Sequence, residues 1–328
     1  MKLPRKFNSD FSLLKNNSLK LNYSSDLFVS CNNEEDLFLI HDFLKDNKLN
    51  YWIIGDGTNI ILKNNLKGLV IKNNLKGISF YQNSMTAGAG ELWDDIVTSS
   101  LDNNLYGLEN LSGIPGSVGA SPIQNIGAYG SEISDFVEYV ETFNLKKGRY
   151  EVFSKSACNF SYRDSIFKKK PNLLITKICL NLSEKFKANT HYEALPKKVF
   201  DAKEQRKNIL TIRSQKLPNH KKIPNVGSFF KNPIISESKL KKLISAFPEI
   251  KSYSFDEKKY KVSAAWLIDK LDLKGTTKGE CGISKEHALV FYNFSDQSDS
   301  LLSYAREVKK RIKENFDIVL EFEPTIFS

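Results

Sequence analysis

The sequence reads as a mixed chain of strands and helices divided into two or three domains. Three observations lead there. The chain has 328 residues, too many for one ordinary core. Short strands punctuated by Asn, Gly and Ser dominate until about residues 183–216, where strands and glycine give way to helices and lysine; a domain boundary is placed there. Between Gly107 and Gly130 runs GLENLSGIPGSVGASPIQNIGAYG, with glycine at 107, 113, 116, 119, 127 and 130 and no charge after Glu109.

That run cannot be an ordinary helix, because each interior glycine costs about 1 kcal/mol relative to alanine. It is also too long and irregular for one hairpin. Glycine at this density supplies positive φ and lets backbone approach something closely. Pro115 and Pro122 stiffen the segment. Its side chains offer uncharged donors and acceptors: Ser112, Ser117, Ser121, Gln124, Asn125 and Tyr129. The segment reads either as a glycine-rich surface loop or as a wall for a large, flat, partly phosphorylated ligand. The Gln124-Asn125 pair between two tight glycine turns favours the wall.

The elements follow in order. Residues 1–20 are polar and drape over the surface. Asn32-Asn33-Glu34 caps a helix in which Leu37, Ile40, His41 and Leu44 recur at helical spacing, so His41 reads as a packed histidine. Tyr51–Ile54 and Ile60–Leu62 are strands flanking Gly55-Asp56-Gly57-Thr58-Asn59, whose successive backbone N–H groups suit a pyrophosphate. This turn lacks the G-K-[ST] of a Walker loop. Leu69–Lys72, Gly77–Phe80 and Met85–Ala89 are short strands, and Gly88-Ala89-Gly90 opens a helix at Glu91. Trp93 stands where a dinucleotide fingerprint needs its third glycine. Phe136–Asn144, Tyr150–Ser154 and Leu173–Leu182 are strands. Helices are expected over Tyr192–Arg213, around Leu240–Phe247, over Lys261–Leu271 and over Ser300–Asn315, with short strands at Ala288–Phe291 and Ile318–Phe322.

Composition narrows the function classes. Apolar content of 41% and charged content of 26% are those of a soluble globular protein. The net charge of +10 favours anionic partners. Nucleic acid ranks below a phosphate-bearing small ligand, because Lys168–Lys170 and Lys221–Lys222 are short, separated runs without interleaved aromatics. Cys31, Cys158, Cys179 and Cys281 lack metal-ligand spacing, so no metal site is expected and the thiols read as reduced and buried in a cytoplasmic protein. No leader-like apolar region opens the chain, and no run approaches the ~18 apolar residues of a membrane span.

Three spots could carry chemistry. Arg163, between Tyr162 and Asp164, is either half of a structural Arg–Asp pair or a guanidinium fork for a carboxylate. Ser228, between Gly227 and two phenylalanines, is either a turn hydroxyl or a proton donor. It has no Ser-His-Asp or G-x-S-x-G context, so a nucleophilic role is not expected. Glu321 and Glu323 alternate with Leu320 and Phe322 and would share one strand face, solvated or functional.

The order and spacing of Gly55–Asn59, Gly107–Gly130, Tyr162-Arg163-Asp164-Ser165, Gly227–Pro233 and Ala264–Asp269 resemble the UDP-N-acetylenolpyruvoylglucosamine reductases. These are the bacterial flavoenzymes that make UDP-N-acetylmuramate for peptidoglycan. The resemblance spans nearly the whole chain and is most specific in SGIPGSVGASPIQNIGAYG and GSFFKNP. It implies an α+β, three-domain flavoprotein whose first two domains form an FAD-binding fold like that of vanillyl-alcohol oxidase. The implied domains are residues 1–66, joined by a C-terminal strand near 317–328; residues 67–213; and a substrate-binding domain, residues 214–316.

By position, the resemblance makes Ser228 the proton donor to the substrate's C2, Arg163 the grip on the enolpyruvyl carboxylate and Glu323 its partner, with Glu321 the alternative glutamate. FAD would be held by Gly55, Asp56, Gly57, Thr58, Asn59, Gly113, Ile114, Pro115, Gly116, Gly119, Ser121, Gln124, Asn125, Gly127, Ala128 and Tyr129. Thr58 stands where serine is more usual and keeps the hydroxyl. Tyr162, Tyr192, Lys216, Asn232 and Tyr253 would contact the substrate, Tyr192 from a covering loop. The implied partners are UDP-N-acetylglucosamine enolpyruvate and NADPH, met by a cytoplasmic monomer. The rivals are a flavin oxidase of the same fold and a basic nucleic-acid-binding protein.

Overall fold

A computed structural model describes residues 3–190, 192 and 194–328. They divide into two units. The first comprises the described residues of Met1–Ser12 with Ser24–Gly57 and Asn65–Arg213; the second comprises Leu13–Tyr23, Thr58–Asn64 and Ser214–Ser328.

The first unit opens with β1 (Asn8–Ser12), β2 (Ser24–Cys31), α1 (Glu34–Asn47) and β3 (Tyr51–Ile54). The chain then gives β4 (Ile60–Leu62) to the second unit and returns as β5 (Leu66–Asn73). The sheet order is β1-β2-β5-β3, with β2 and β3 parallel to β5 and β1 antiparallel at the edge. Leu69, Val70 and Ile71 are buried at consecutive positions, as in a parallel strand covered on both faces. The α1 helix starts where the Asn33 side chain accepts the Asp36 amide, has three acidic residues in its first turn, and ends at Lys48 in the left-handed region. Its buried face, Leu37, Ile40, Phe43 and Leu44, shares a core with Leu27, Val29, Leu69 and Ile71.

A second sheet of this unit is antiparallel throughout. Its strands are β6 (Ile78–Tyr81), β7 (Ser84–Gly88), β10 (Val137–Asn144), β11 (Arg149–Ser154) and β12 (Leu173–Asn181), in the order β11-β10-β12-β7-β6. Between β7 and β10 lie α2 (Trp93–Asp102), the glycine-rich segment, and a hairpin of β8 (Gly127–Ala128) and β9 (Ser131–Glu132). Trp93, Ile96 and Val97 of α2 pack with Met85, Ala87, Val140 and Ile178. A short α3 (Ile166–Lys169) precedes β12, and α4 (Ala202–Lys216) follows.

In the second unit, β13 (Asn225–Ser228), β17 (Thr277–Lys278), β18 (Cys281–Ile283) and β19 (Val290–Asn293) form a sheet ordered β13-β19-β18-β17. A smaller sheet holds β14 (Ile234–Ser236), β15 (Ser252–Asp256) and β16 (Lys259–Val262). The helices are α5 (Glu237–Ala246), α6 (Ala264–Asp269) and α7 (Asp299–Phe316), and β20 (Thr325–Phe327) lies parallel to β4. Leu301, Leu302, Ala305, Val308, Ile312 and Phe316 form the buried stripe of α7.

Four expectations are corrected. Residues 1–20 do not simply drape over the surface: Asn8–Ser12 is β1, paired with β2, and Phe7, Leu13 and Leu19 are buried. The helix expected from Tyr192 begins at Ala202, because Pro196 precludes a helix interior and Asp201 caps the start by accepting the Glu204 amide. His191 and Glu193 lie outside the described residues. The helix expected from Lys261 is instead β16 followed by α6, with Ser263 as its N-cap. Ile318–Phe322 forms no strand. Phe322 makes a single bridge to Phe230, and pairing resumes at Thr325.

Candidate active site

The glycine-rich segment of the first unit is not a mobile loop. It is laced to α2 and to the end of β7. Val118 N–H donates to the Glu91 carbonyl at 2.8 Å, Gly119 N–H to Ala89 at 2.8 Å, and the Trp93 indole N–H to Leu111 at 2.9 Å. Gly119 is glycine because a Cβ there would lie 2.6 Å from the Ala89 Cβ. Ser121 donates back to the Val118 carbonyl at 2.6 Å, closing the turn.

The Gly55–Gly57 turn meets this segment at Ser117 and Ala120. A Cβ on Gly55 would lie 2.1 Å from the Ser117 hydroxyl oxygen. That hydroxyl is buried and has no hydrogen-bond partner among the described residues. An unmet buried donor beside bare glycine backbone suits an acceptor-rich group such as a pyrophosphate. The turn is held from behind by Lys72, whose Nζ donates to the Gly55 carbonyl at 2.6 Å and lies 3.7 Å from the Asp56 carboxylate. Burial pulls the Lys72 ammonium below its ordinary value, and Asp56 opposes that pull.

Polar residues of α2 and α4 brace the wall, and the sequence reading missed them. Asp94 accepts the Gly113 amide at 2.6 Å and forms a two-point pair with Arg206 at 2.7 and 2.9 Å. Burial pushes the Asp94 carboxyl up, but Arg206 and the Gly113 amide outweigh it and hold it below the usual range. Arg213 donates to the Gly113 carbonyl at 3.1 Å. Burial lowers its pKa, countered by Tyr129 and Asp94, so a desolvated cation stands at the wall. Gln205 and Asn110 bond side chain to side chain at 2.5 Å, and Asn110 also holds the Tyr129 carbonyl at 2.8 Å. The only signal was the helical spacing of Gln205, Arg206 and Arg213, unreadable until their partners are in place.

Arg163 sits in a tight turn in which Ser161 and Asp164 exchange backbone hydrogen bonds at 3.0 and 3.1 Å. Its φ of +54° is left-handed, uncommon for arginine. The guanidinium lies 5.2 Å from the Tyr162 ring centroid, and Nη2 donates to the Gly127 carbonyl at 2.9 Å. Asp164 pairs with Lys169 at 3.2 Å. Asn125 is wholly committed: its amide nitrogen donates to Glu132 at 2.7 Å and to the Ser161 carbonyl at 3.2 Å, and its oxygen accepts the Ser134 amide at 3.1 Å. Gln124, Ile114, Gly127, Ala128 and Tyr129 are half-buried, Gly116 is buried and Pro115 is exposed. The Tyr192 ring meets the Tyr129 ring edge-on at 5.0 Å.

In the second unit, Ser228 ends β13 opposite Val290 and is half-buried. Gly227 before it has φ +72°, and Phe229 and Phe230 after it are fully buried against Phe291 and Phe322. The Glu323 amide donates to the Phe229 carbonyl at 3.0 Å, so the glutamate's backbone is fixed one residue from Ser228. Glu323 is half-buried, whereas the Glu321 side chain is 71% exposed and paired with Lys231 at 3.1 Å. The expected shared strand face is therefore not realised: one glutamate turns to solvent beside a lysine.

Asn232 uses its carboxamide oxygen to accept the Ala264 amide at 2.9 Å, fixing the start of α6. Lys216 and Tyr253 are exposed, and Thr58 and Asn59 continue the Gly55 turn toward β4. Nearby, His287 accepts the Leu289 amide at 3.1 Å. Burial, with Lys216 and Lys274, lowers its pKa to about 4, so it is neutral at pH 7. His41 is the packed residue expected, bonded to the Leu145 carbonyl at 2.7 Å. Among the described residues no cluster of potential metal ligands occurs, and no helix is long and apolar enough to cross a membrane.

Comparison with known proteins decides the family. The chain is 35% identical over 98% of its length to the UDP-N-acetylenolpyruvoylglucosamine reductase of Polynucleobacter asymbioticus, covering 97% of that protein. The chain belongs to the UDP-N-acetylenolpyruvoylglucosamine reductase family. A second reductase of this family, from Flavobacterium johnsoniae, is 36% identical over 97% of the chain and is itself covered to 98%. The family's C-terminal domain model matches residues 218–327, and an FAD binding domain model matches residues 25–154. The reductase of Thermus caldophilus, known from its crystal structure, superposes with a TM-score of 0.69 at 23% identity, covering 98% of each chain. Its fold is therefore the reductase fold, an α+β arrangement with an FAD-binding part.

Proposed function

We propose that this chain reduces the enolpyruvyl group of UDP-N-acetylglucosamine enolpyruvate to give UDP-N-acetylmuramate, a peptidoglycan precursor, with FAD as resident cofactor and NADPH as reductant. The identity to reductases over 98% of the chain carries the reading, because it includes the second unit and not the FAD-binding part alone. An oxidase sharing only the FAD-binding fold has no need of Gly227–Pro233. The three-domain division at residues 66, 213 and 316 belongs to this reading, as do a monomeric state and a cytoplasmic setting.

A flavin bound at this site would supply hydride to one vinyl carbon. The chain's residues answer for the rest. The Gly55–Gly57 turn and the Ser117 hydroxyl would hold the FAD pyrophosphate, and the wall from Gly113 to Tyr129 would hold its ring system. Arg163 is pre-set by Tyr162 and Gly127 to take the substrate carboxylate, which gains charge as hydride arrives. Ser228 delivers the proton to C2, and Glu323, rather than the solvent-facing Glu321, assists. Lys216, Asn232 and Tyr253 would bind the uridine diphosphate end, and Tyr192 would cover the substrate.

The test is anaerobic. One equivalent of NADPH should bleach the flavin absorbance of the FAD-loaded protein, and UDP-N-acetylglucosamine enolpyruvate should restore it. Bleaching that only oxygen reverses would point to the oxidase.

A further inference from the structure

Asn125 and Glu132 form a pair that touches the Arg163 turn at both of its anchor points. Glu132 lies opposite Gly127 in the β8–β9 hairpin, and the Gly127 carbonyl is the one that receives Arg163 Nη2 at 2.9 Å. A carboxylate can only accept, so the 2.7 Å contact fixes the Asn125 amide nitrogen toward Glu132. The same nitrogen reaches the Ser161 carbonyl at 3.2 Å, the residue that opens the Arg163 turn. Asn125 is 1% exposed and holds φ +45°, a conformation that asparagine tolerates better than most residues. Space is tight here as well: a Cβ on Gly127 would lie 2.9 Å from Glu132 Cγ and 3.2 Å from Arg163 Nη1.

We infer that Glu132, acting through Asn125, is a positioning residue that sets the Arg163 guanidinium for a ligand carboxylate. This rests on the function proposed above. A guanidinium on a left-handed turn has several rotamers; the Gly127 carbonyl and the Tyr162 ring select one, and the Ser161 carbonyl holds the turn that carries it. Breaking the Asn125–Glu132 bond frees the Ser161 end of the turn and the hairpin that carries Gly127. The Gly113–Gly119 part of the flavin wall is held elsewhere, by Ala89, Glu91, Asp94 and Arg213. Loss of the pair is therefore felt by ligands that bear a carboxylate and not by NADPH.

The experiment compares Glu132→Ala and Glu132→Gln with the unmodified FAD-loaded protein. In Glu132→Ala, flavin reoxidation by substrate should slow on the order of tenfold to a hundredfold, while reduction by NADPH keeps its rate. Calorimetric affinity for UDP-N-acetylmuramate, which carries the carboxylate, should fall on the order of tenfold, and affinity for UDP-N-acetylglucosamine, which lacks it, should not. Glu132→Gln keeps an oxygen acceptor and should recover both readouts. Asn125→Asp keeps the acceptor for Ser134, removes both donors and should lower affinity for UDP-N-acetylmuramate more than for UDP-N-acetylglucosamine. Equal losses for both half-reactions or both ligands, no change at all, or failure of both disrupting variants to fold would each overturn the positioning role. If the unmodified protein is not reoxidised by substrate, the proposed function falls instead.

Discussion

Ser228 follows a left-handed glycine and precedes two wholly buried phenylalanines. The buried rings fix the strand, and the glycine turns the chain so that a half-buried hydroxyl ends it. Removing that hydroxyl leaves the packing intact, so Ser228→Ala should fold and bind FAD normally. Stopped-flow absorbance should show flavin reduction by NADPH nearly unchanged. Reoxidation by substrate should slow on the order of 10²–10⁴-fold, the usual worth of a positioned acid. Equal slowing of the two half-reactions would make Ser228 a packing residue. The glutamates show the same dependence on surroundings. Glu321 and Glu323 are chemically alike and two residues apart, yet one is paired with Lys231 in solvent and the other sits half-buried beside Phe229.

At the scale of elements, the glycine wall works because it is bolted down. Gly119→Ala would force a Cβ to 2.6 Å from Ala89, an overpacking that should cost about 1–3 kcal/mol and shift the wall. A lower melting temperature together with weaker FAD binding, read by fluorescence titration, is expected; unchanged FAD affinity would mean that the wall does not carry the flavin. The Asp94–Arg206 pair ties α4 to the same wall. Its carboxyl lies below the usual range when folded, so its stabilisation is present above the unfolded carboxylate value of ~3.9 and is lost as pH falls through the depressed folded value. Asp94→Asn should therefore melt below the unmodified protein at pH 7, and the gap should close under acid. A gap that persists at pH 2 would show the effect to be packing rather than charge.

Across the whole molecule, the four cysteines are free and buried. Burial pushes Cys31 and Cys158 up to about 12, and raises Cys179 and Cys281 as well, so thiolate is scarce at neutral pH. An aromatic disulfide reagent at pH 8 should label none of the four quickly in the folded protein and all four in denaturant. A rapid phase from folded protein would contradict this. The two units differ in how they are drawn from the chain. The first is interrupted twice, giving up Leu13–Tyr23 and Thr58–Asn64, and β4 finds its partner in β20 at the far end of the sequence.

By itself the sequence determined the glycine wall, the capped first helix, most strands of the first unit, and Arg163 and Ser228 as the residues to watch. Those signals are local: glycine density, caps and period-two alternation act within a few residues. The start of α4 at Ala202 is local too, set by Pro196 and the Asp201 cap, which outweigh the helical periodicity before them. Tertiary structure alone decided the rest. The strand β16 in place of a helix and the parting of Glu321 from Glu323 depend on partners distant in sequence. So do the braces Lys72, Asp94, Arg206 and Arg213 and the hold of Asn125 on Ser161. A buried ion pair or an orphaned hydroxyl gets its meaning from what desolvates it, and no spacing rule carries that information.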